Sequence, residues 1–320
     1  MNGIIAMPSL KSRVIQKLLV NRHLMKFELK RPLFDGSLEA IKRLRRETED
    51  AGLTFGRIPK DILIEPVKIK DMYAEWVQIP GPVTGKAILY FHGGMYLIGS
   101  PQGHRVHVAK FVQGTGLDAL VFDYRLAPEY QFPAALEDAL AAYDHLLKKG
   151  FNPENIVFAG DSAGAGLCLA TLLAIKKYDK PLPAAAAVLS PWTDLTLSGE
   201  SYQTNKYKCL SPLGSSETAS ALYVGTHERT NPLISPLFGD LAGLPPLHIS
   251  VGSNEILLDD SRSFAEKAKA AGVDVTLLVG EGMCHCYPAF GNLMAESKAA
   301  LAEICEFLKD HAGTKTAIKP

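Results

Sequence analysis

From residue 87 onward the chain alternates between two hydrophobic periodicities. Short runs such as "AILYF", "DALVFDY" and "AAAAVLS" place apolar residues at consecutive positions. A strand of that kind has both faces buried, which is the mark of a parallel sheet covered by helices on either side. Between the runs lie longer stretches with apolar residues recurring every three or four positions, the helical spacing. The pattern predicts strands at 87–91, 118–123, 155–159, 184–189, 247–251 and 275–279. Helices are expected at about 104–114, 133–149, 163–178, 259–271 and 289–311. The fold class is therefore α/β, a mostly parallel central sheet with helices on both faces.

The flanking texture differs. "DILIEPVKI" and "YAEWVQIP" read as two further strands, and Pro80-Gly81-Pro82 as a turn before the next one. A helix is expected over 37–51, ending at Gly52. The first 34 residues carry Lys11, Arg13, Lys17, Arg22, Lys26, Lys30 and Arg31 against Glu28 alone, interleaved with Val14, Ile15, Leu18, Leu19 and Met25. Such an amphipathic segment suits a helix packed over the main domain, with attachment to a membrane surface as the alternative. The interval 200–232 is polar, rich in serine and tyrosine, and too long for a plain connection. It reads as a partly helical insertion.

Composition removes several function classes. The 320 residues carry a formal net charge of zero, so no global field points to nucleic acid. No apolar run approaches the roughly 18–20 residues of a membrane span. The opening "MNGIIAMPSLK" has an apolar patch too short for a signal peptide and no positive region before it, which makes a cytoplasmic protein the default expectation. Five cysteines, an odd number, do not make a disulfide framework. Cys284, His285 and Cys286 are adjacent, but metal sites space such ligands more widely and use a second cluster, so no metal is expected.

One segment carries chemistry. The apolar run that begins at Ile156 breaks off at "GDSAG", residues 160–164, and a helical pattern follows at once. Glycines end strands and serine is a common turn residue, so an ordinary turn would account for the composition. The alternative is a G-x-S-x-G nucleophile elbow, where a sharp strand-to-helix turn exposes the hydroxyl of Ser162 above the sheet. A serine hydroxyl needs a base, a group that orients the base, and hydrogen-bond donors for an oxyanion. His92-Gly93-Gly94, at the end of the strand "AILYF", offers backbone amides unscreened by side chains.

His92-Gly93-Gly94, "DYRLAPE" (123–129), "FPAALEDALAAY" (132–143), "GDSAG", "SPWTDLT" (190–196) and "NPLISPLFGDLAGLPPLHISVG" (231–252) together resemble the hormone-sensitive-lipase family of α/β-hydrolase esterases. The similarity covers roughly residues 60–310. It implies an oxyanion hole from the amides of Gly93, Gly94 and Ala163, with His92 holding its loop rather than acting as a base. Met95 departs from the small residue usual after Gly94 in that family, which would narrow the pocket for bulky alcohols.

The family order is serine, acid, histidine. Among nine histidines, His285 stands in the loop "GEGMCHCYP" between a strand and the last helix, and "MCHCY" resembles the family's Met-x-His-x-aromatic pattern. His248, inside a strand, is expected to be a core imidazole. For the acid, the family's spacing of a leucine two places after the carboxylate selects Glu255 with Leu257. Asp259 and Asp260 are the rivals; in the first turn of a helix they would also simply favour its dipole.

The resemblance implies a serine carboxylesterase for short- to medium-chain esters, with Ser162, Glu255 and His285 as catalytic residues and no cofactor. The partner is a small-molecule ester, and a homodimer is compatible with the family. Residues 1–52 and the insertion 200–225 would cap a catalytic domain formed by 53–199 and 226–320. Tyr96, Leu97, Tyr202, Tyr207, Leu213 and Tyr287 are candidates for the pocket lining, each equally explicable by packing. An amidase of the arylformamidase type would use the same groups. A non-catalytic receptor on the same fold is the alternative from another class, disfavoured because serine, acid and histidine are all present.

Overall fold

The structure is a computed structural model that describes residues 8–21, 33–54, 57–81 and 84–313. Its strands are β1 (Leu63–Ile69), β2 (Met72–Gln78), β3 (Ala87–Phe91), β4 (Asp118–Phe122), β5 (Ile156–Asp161), β6 (Ala185–Leu189), β7 (Leu247–Gly252) and β8 (Val275–Gly280). They form one eight-stranded sheet in the order β1-β2-β4-β3-β5-β6-β7-β8. Strand β2 runs antiparallel to both its neighbours, and every pairing from β4 through β8 is parallel.

The central strands β3 to β7 are buried on both faces, as their consecutive apolar residues require, while β1 at the sheet edge is largely exposed. Leu89, Phe91, Leu120 and Phe122 point to one side with Leu167 and Phe264, while Ile88, Tyr90, Ala119 and Val121 point to the other with Phe111, Ile304 and Leu308. The alternation follows from the two-residue period of a strand. The covering helices are α3 (Pro101–Thr115), α4 (Ala134–Lys148), α5 (Ser162–Lys177), α8 (Leu258–Ala270) and α9 (Ala295–His311).

Two boundaries differ from the sequence expectation for physical reasons. Helix α3 starts at Pro101 rather than 104, because the Ser100 hydroxyl caps it by accepting the Gly103 amide at 3.1 Å and Pro101 fits the first turn. The last helix is shorter than 289–311. Residues Tyr287–Leu293 form 3-10 turns broken at Gly291, whose φ of 52° no α-helix accommodates.

Toward the chain's start, α1 (Leu10–Val20) and α2 (Leu38–Thr54) are helical. The Ser12 hydroxyl ties α1 to Glu296 at 2.5 Å. Arg45 of α2 donates to the carbonyls of Leu97 and Ala127 and to both oxygens of Glu129. Residues 1–7 and the part of the basic amphipathic segment at 22–32 lie outside the described residues. The interval after 200 contains α6 (Ser201–Thr204) and α7 (Ser215–Val224), joined by irregular chain. Among the described residues no helix is long and apolar enough to cross a membrane.

Candidate active site

Strand β5 hands over to α5 with no residue between them. The turn falls on Ser162, whose φ of 54° lies in the left-handed region that a side chain disfavours. Such a conformation persists only where its surroundings enforce it. Here the first turn of α5 presses against the end of β3: a Cβ on Gly164 would stand 2.2 Å from the His92 carbonyl oxygen and 2.3 Å from that of Phe91. Only glycine permits that approach.

His285 arrives from the loop after β8. Its Nε2 lies 3.0 Å from Ser162 Oγ and its Nδ1 2.5 Å from Glu255 Oε2. A carboxylate only accepts, so Nδ1 carries the proton and Nε2 presents its lone pair to the serine hydroxyl. Glu255 is fully buried, and its Oε1 accepts the Gly252 amide at 2.5 Å. Burial disfavours a charged His285, but contact with Cys286 and the negative charge of Glu255 outweigh it, so its pKa is raised well above the ordinary histidine value. The Cys286 thiol, 3.5 Å from Nε2, is itself pushed up by burial.

The rival aspartates are engaged elsewhere. Asp260 accepts the amides of Thr193 and Asp194, each at 2.9 Å, and burial lifts its pKa to about 8. Asp259 accepts the Ser201 amide at 2.7 Å. Both carboxylates organise the segment from 193 to 201, a role beyond the helix-dipole interaction expected of them. The structure brings Ser162, Glu255 and His285 together and leaves Asp259 and Asp260 out of that line.

The oxyanion loop requires one correction. The amide of Gly93 donates to Asp161 Oδ1 at 3.0 Å, so it is consumed within the protein and does not serve as a free donor. Among the described residues, the backbone amides of Gly94 and Met95 have no hydrogen-bond acceptor. The carbonyl of Gly94 is fixed by the amides of Leu97 and Ile98, at 3.0 and 2.9 Å. Ala163 sits in the first turn of α5, where a helix leaves its amides without internal partners. The available donors on the two sides of the elbow are therefore Gly94, Met95 and Ala163.

Asp161 is the residue that sequence reasoning passed over. It also accepts the Tyr90 hydroxyl at 2.8 Å and faces His104 Nε2 at 3.7 Å. Burial alone would raise its pKa, but His104, His107 and Tyr90 hold the carboxyl well below the usual range. Its position between the elbow glycine and serine was visible, but a small polar residue there is equally expected of any turn. His92 is buried and stacked on Tyr124 at 4.1 Å, and burial lowers its pKa to about 3. It is a neutral loop support. His248 is buried in β7 and pairs through Nε2 with Glu303 at 3.2 Å.

Of the pocket-lining candidates, Tyr202, Tyr207 and Leu213 border a cleft of about 230 Å³ that also reaches Ile256, the neighbour of Glu255. Tyr96, Leu97 and Tyr287 are buried packing residues, and Tyr96 stacks on Tyr223 at 3.8 Å.

Comparison with known proteins agrees with this fold. The family of the α/β-hydrolase fold matches residues 88–289. An acetyl-hydrolase of Streptomyces hygroscopicus is 39% identical over 281 residues, covering 87% of this chain and 92% of that protein. An esterase of Acinetobacter venetianus is 36% identical over 248 residues, covering 77% and 82%. Among solved structures, an esterase of the bacterial hormone-sensitive lipase family superposes with a TM-score of 0.86 at 39% identity, covering 96% of this chain and all of that one. The esterase EstE5, crystals of which were soaked with p-nitrophenyl butyrate, gives 0.86 at 38% identity over 95% of this chain and 99% of its own. The sheet order, the elbow and these likenesses agree: the chain belongs to the α/β-hydrolase family, among the carboxylesterases of the hormone-sensitive-lipase type.

Proposed function

We propose that the protein hydrolyses short- to medium-chain carboxylic esters through an acyl-enzyme on Ser162. The observation that carries this reading is the continuous hydrogen-bond line from Ser162 Oγ through His285 to Glu255. His285 takes the hydroxyl proton on Nε2 as Oγ bonds to the ester carbonyl carbon. The carbonyl oxygen becomes an anion facing the amides of Gly94, Met95 and Ala163, each such donor being worth about 3 kcal/mol. Glu255 keeps the proton on Nδ1 and stabilises the imidazolium that forms.

The tetrahedral adduct then expels the alcohol, whose oxygen receives the proton from Nε2. A water molecule next gives its proton to Nε2 and attacks the acyl carbon. Collapse of the second adduct returns the proton to Oγ and releases the carboxylic acid. No step requires a metal or an organic cofactor.

Residues 1–52 and 200–225 form the cap over the reacting serine in this proposal, with 53–199 and 226–320 as the catalytic domain. The Arg45 contacts with Leu97, Ala127 and Glu129, and the closeness of Tyr202 to Ile256 in one cleft, support that division. The short acyl preference is supported by the relatives, one an acetyl-hydrolase and another soaked with a butyrate ester. A series of p-nitrophenyl esters from acetate to palmitate tests it. The expected result is fastest turnover on the short and medium acyl chains, abolished by S162A; a maximum at palmitate contradicts the acyl preference.

A further inference from the structure

Ser190 follows the last residue of β6, and the reaction above gives it no task. It is fully buried, with its amide donating to the Ser250 carbonyl at 2.7 Å. Its φ is 49°, a conformation that a side chain disfavours and glycine adopts freely. The backbone would be better served by glycine, which lacks a hydroxyl.

That hydroxyl makes two bonds of fixed polarity. It donates to Glu255 Oε1 at 2.8 Å and accepts the amide of Cys286 at 3.0 Å. A carboxylate cannot donate and an amide N–H cannot accept, so both bonds have a single orientation. One atom therefore links the acid to the residue adjoining the base. Cys286 is itself held at a φ of 51°. Together with Ser162, three strained non-glycine residues surround one imidazole, the clustering expected where geometry is maintained for function.

We propose that Ser190 is a positioning residue for ester hydrolysis: its hydroxyl sets Glu255 and the His285 loop in the one placement that engages both ring nitrogens. The proposal rests on the acyl-serine reading. A serine that merely satisfies buried polar groups at a strand end would affect stability, whereas a positioning serine affects the chemical step.

The variants S190A and S190G separate these roles, because glycine removes the hydroxyl while relaxing the backbone. Melting temperature, kcat, KM and the pH profile of kcat/KM are measured on p-nitrophenyl butyrate. Loss of one hydrogen bond to a charged group predicts a fall in kcat of roughly tenfold to a hundredfold in both variants, with KM within about twofold. S190G should melt no lower than S190A. Oε1 then loses the Ser190 donor while still accepting the Gly252 amide, so the Glu255 charge bears more fully on Nδ1 and the acid limb of the profile moves to higher pH. Full kcat in S190G overturns the proposal, as does a fall in kcat that follows the melting temperature and leaves the acid limb in place. S162A is run alongside: wild-type turnover there refutes the acyl-serine reading itself, while an inactive S162A with a fully active S190G refutes only the role of Ser190.

Discussion

Asp161 Oδ1 accepts the amide hydrogen of Gly93 at 3.0 Å, which fastens the loop after β3 to the residue beside the nucleophile. The same oxygen receives the Tyr90 hydroxyl. The next two amides, those of Gly94 and Met95, have no acceptor among the described residues. D161N keeps the shape of the side chain but removes the charge that organises these donors. It should lower kcat by about tenfold to a hundredfold. Steady-state kinetics on p-nitrophenyl butyrate checks this, and unchanged kcat would show that the loop holds its own conformation.

Gly164 is a packing requirement for the elbow. In G164A the added methyl would meet the His92 and Phe91 carbonyl oxygens at 2.2 and 2.3 Å, both of them backbone atoms that cannot swing aside. The expected outcome is a fall in melting temperature together with loss of turnover, since the clash displaces Ser162 from His285. A thermal melt and an esterase assay on the same sample check it. A stable, active G164A would contradict the close approach.

Much of this site was legible in the sequence, for reasons that differ residue by residue. Ser162 could be read because the elbow needs glycines at fixed offsets, and an apolar strand before it and a helix after it gave those glycines a context. His285 lay after the last strand, in a loop resembling the family's histidine motif, and Glu255 was selected over Asp259 and Asp260 only by the family's spacing to a leucine, here Leu257. The direction of the Gly93 amide was not legible, because residue type at a glycine says nothing about where its peptide plane points. The tie between Arg45 and Glu129 was equally hidden, joining positions 84 apart in sequence. The 3-10 turns at Tyr287–Leu293 escaped because Gly291 was absorbed into a helical pattern that its φ forbids.

The acid can be identified by substitution. E255Q preserves the volume but removes the charge beside Nδ1 and allows the wrong tautomer. It should reduce kcat by roughly 10⁴-fold. D259N should retain most of the activity, because Asp259 contacts the Ser201 amide and lies outside the line to His285. Parallel kcat measurements decide; loss of activity in D259N with a functional E255Q would reassign the acid.

The pH dependence follows from His285. Its pKa in the folded protein lies above the ordinary 6.5, and the reaction needs the neutral imidazole. Activity is therefore present above the raised pKa and lost as pH falls through it, so the acid limb of kcat/KM should lie above pH 6.5. E255Q removes the charge that sustains the imidazolium, and its acid limb should move to lower pH. A pH profile of both proteins checks the sign, and an E255Q limb displaced upward would contradict it.

The central claim is that one hydroxyl carries the acyl group between two halves of a reaction. Rapid quenching during turnover of p-nitrophenyl butyrate, followed by peptide mass spectrometry, observes that intermediate. The account predicts a butyryl group on the peptide containing Ser162, absent from S162A, and appearing at the same rate as the initial release of p-nitrophenolate. An acyl group on a different residue, or undiminished ester hydrolysis by S162A, would contradict it.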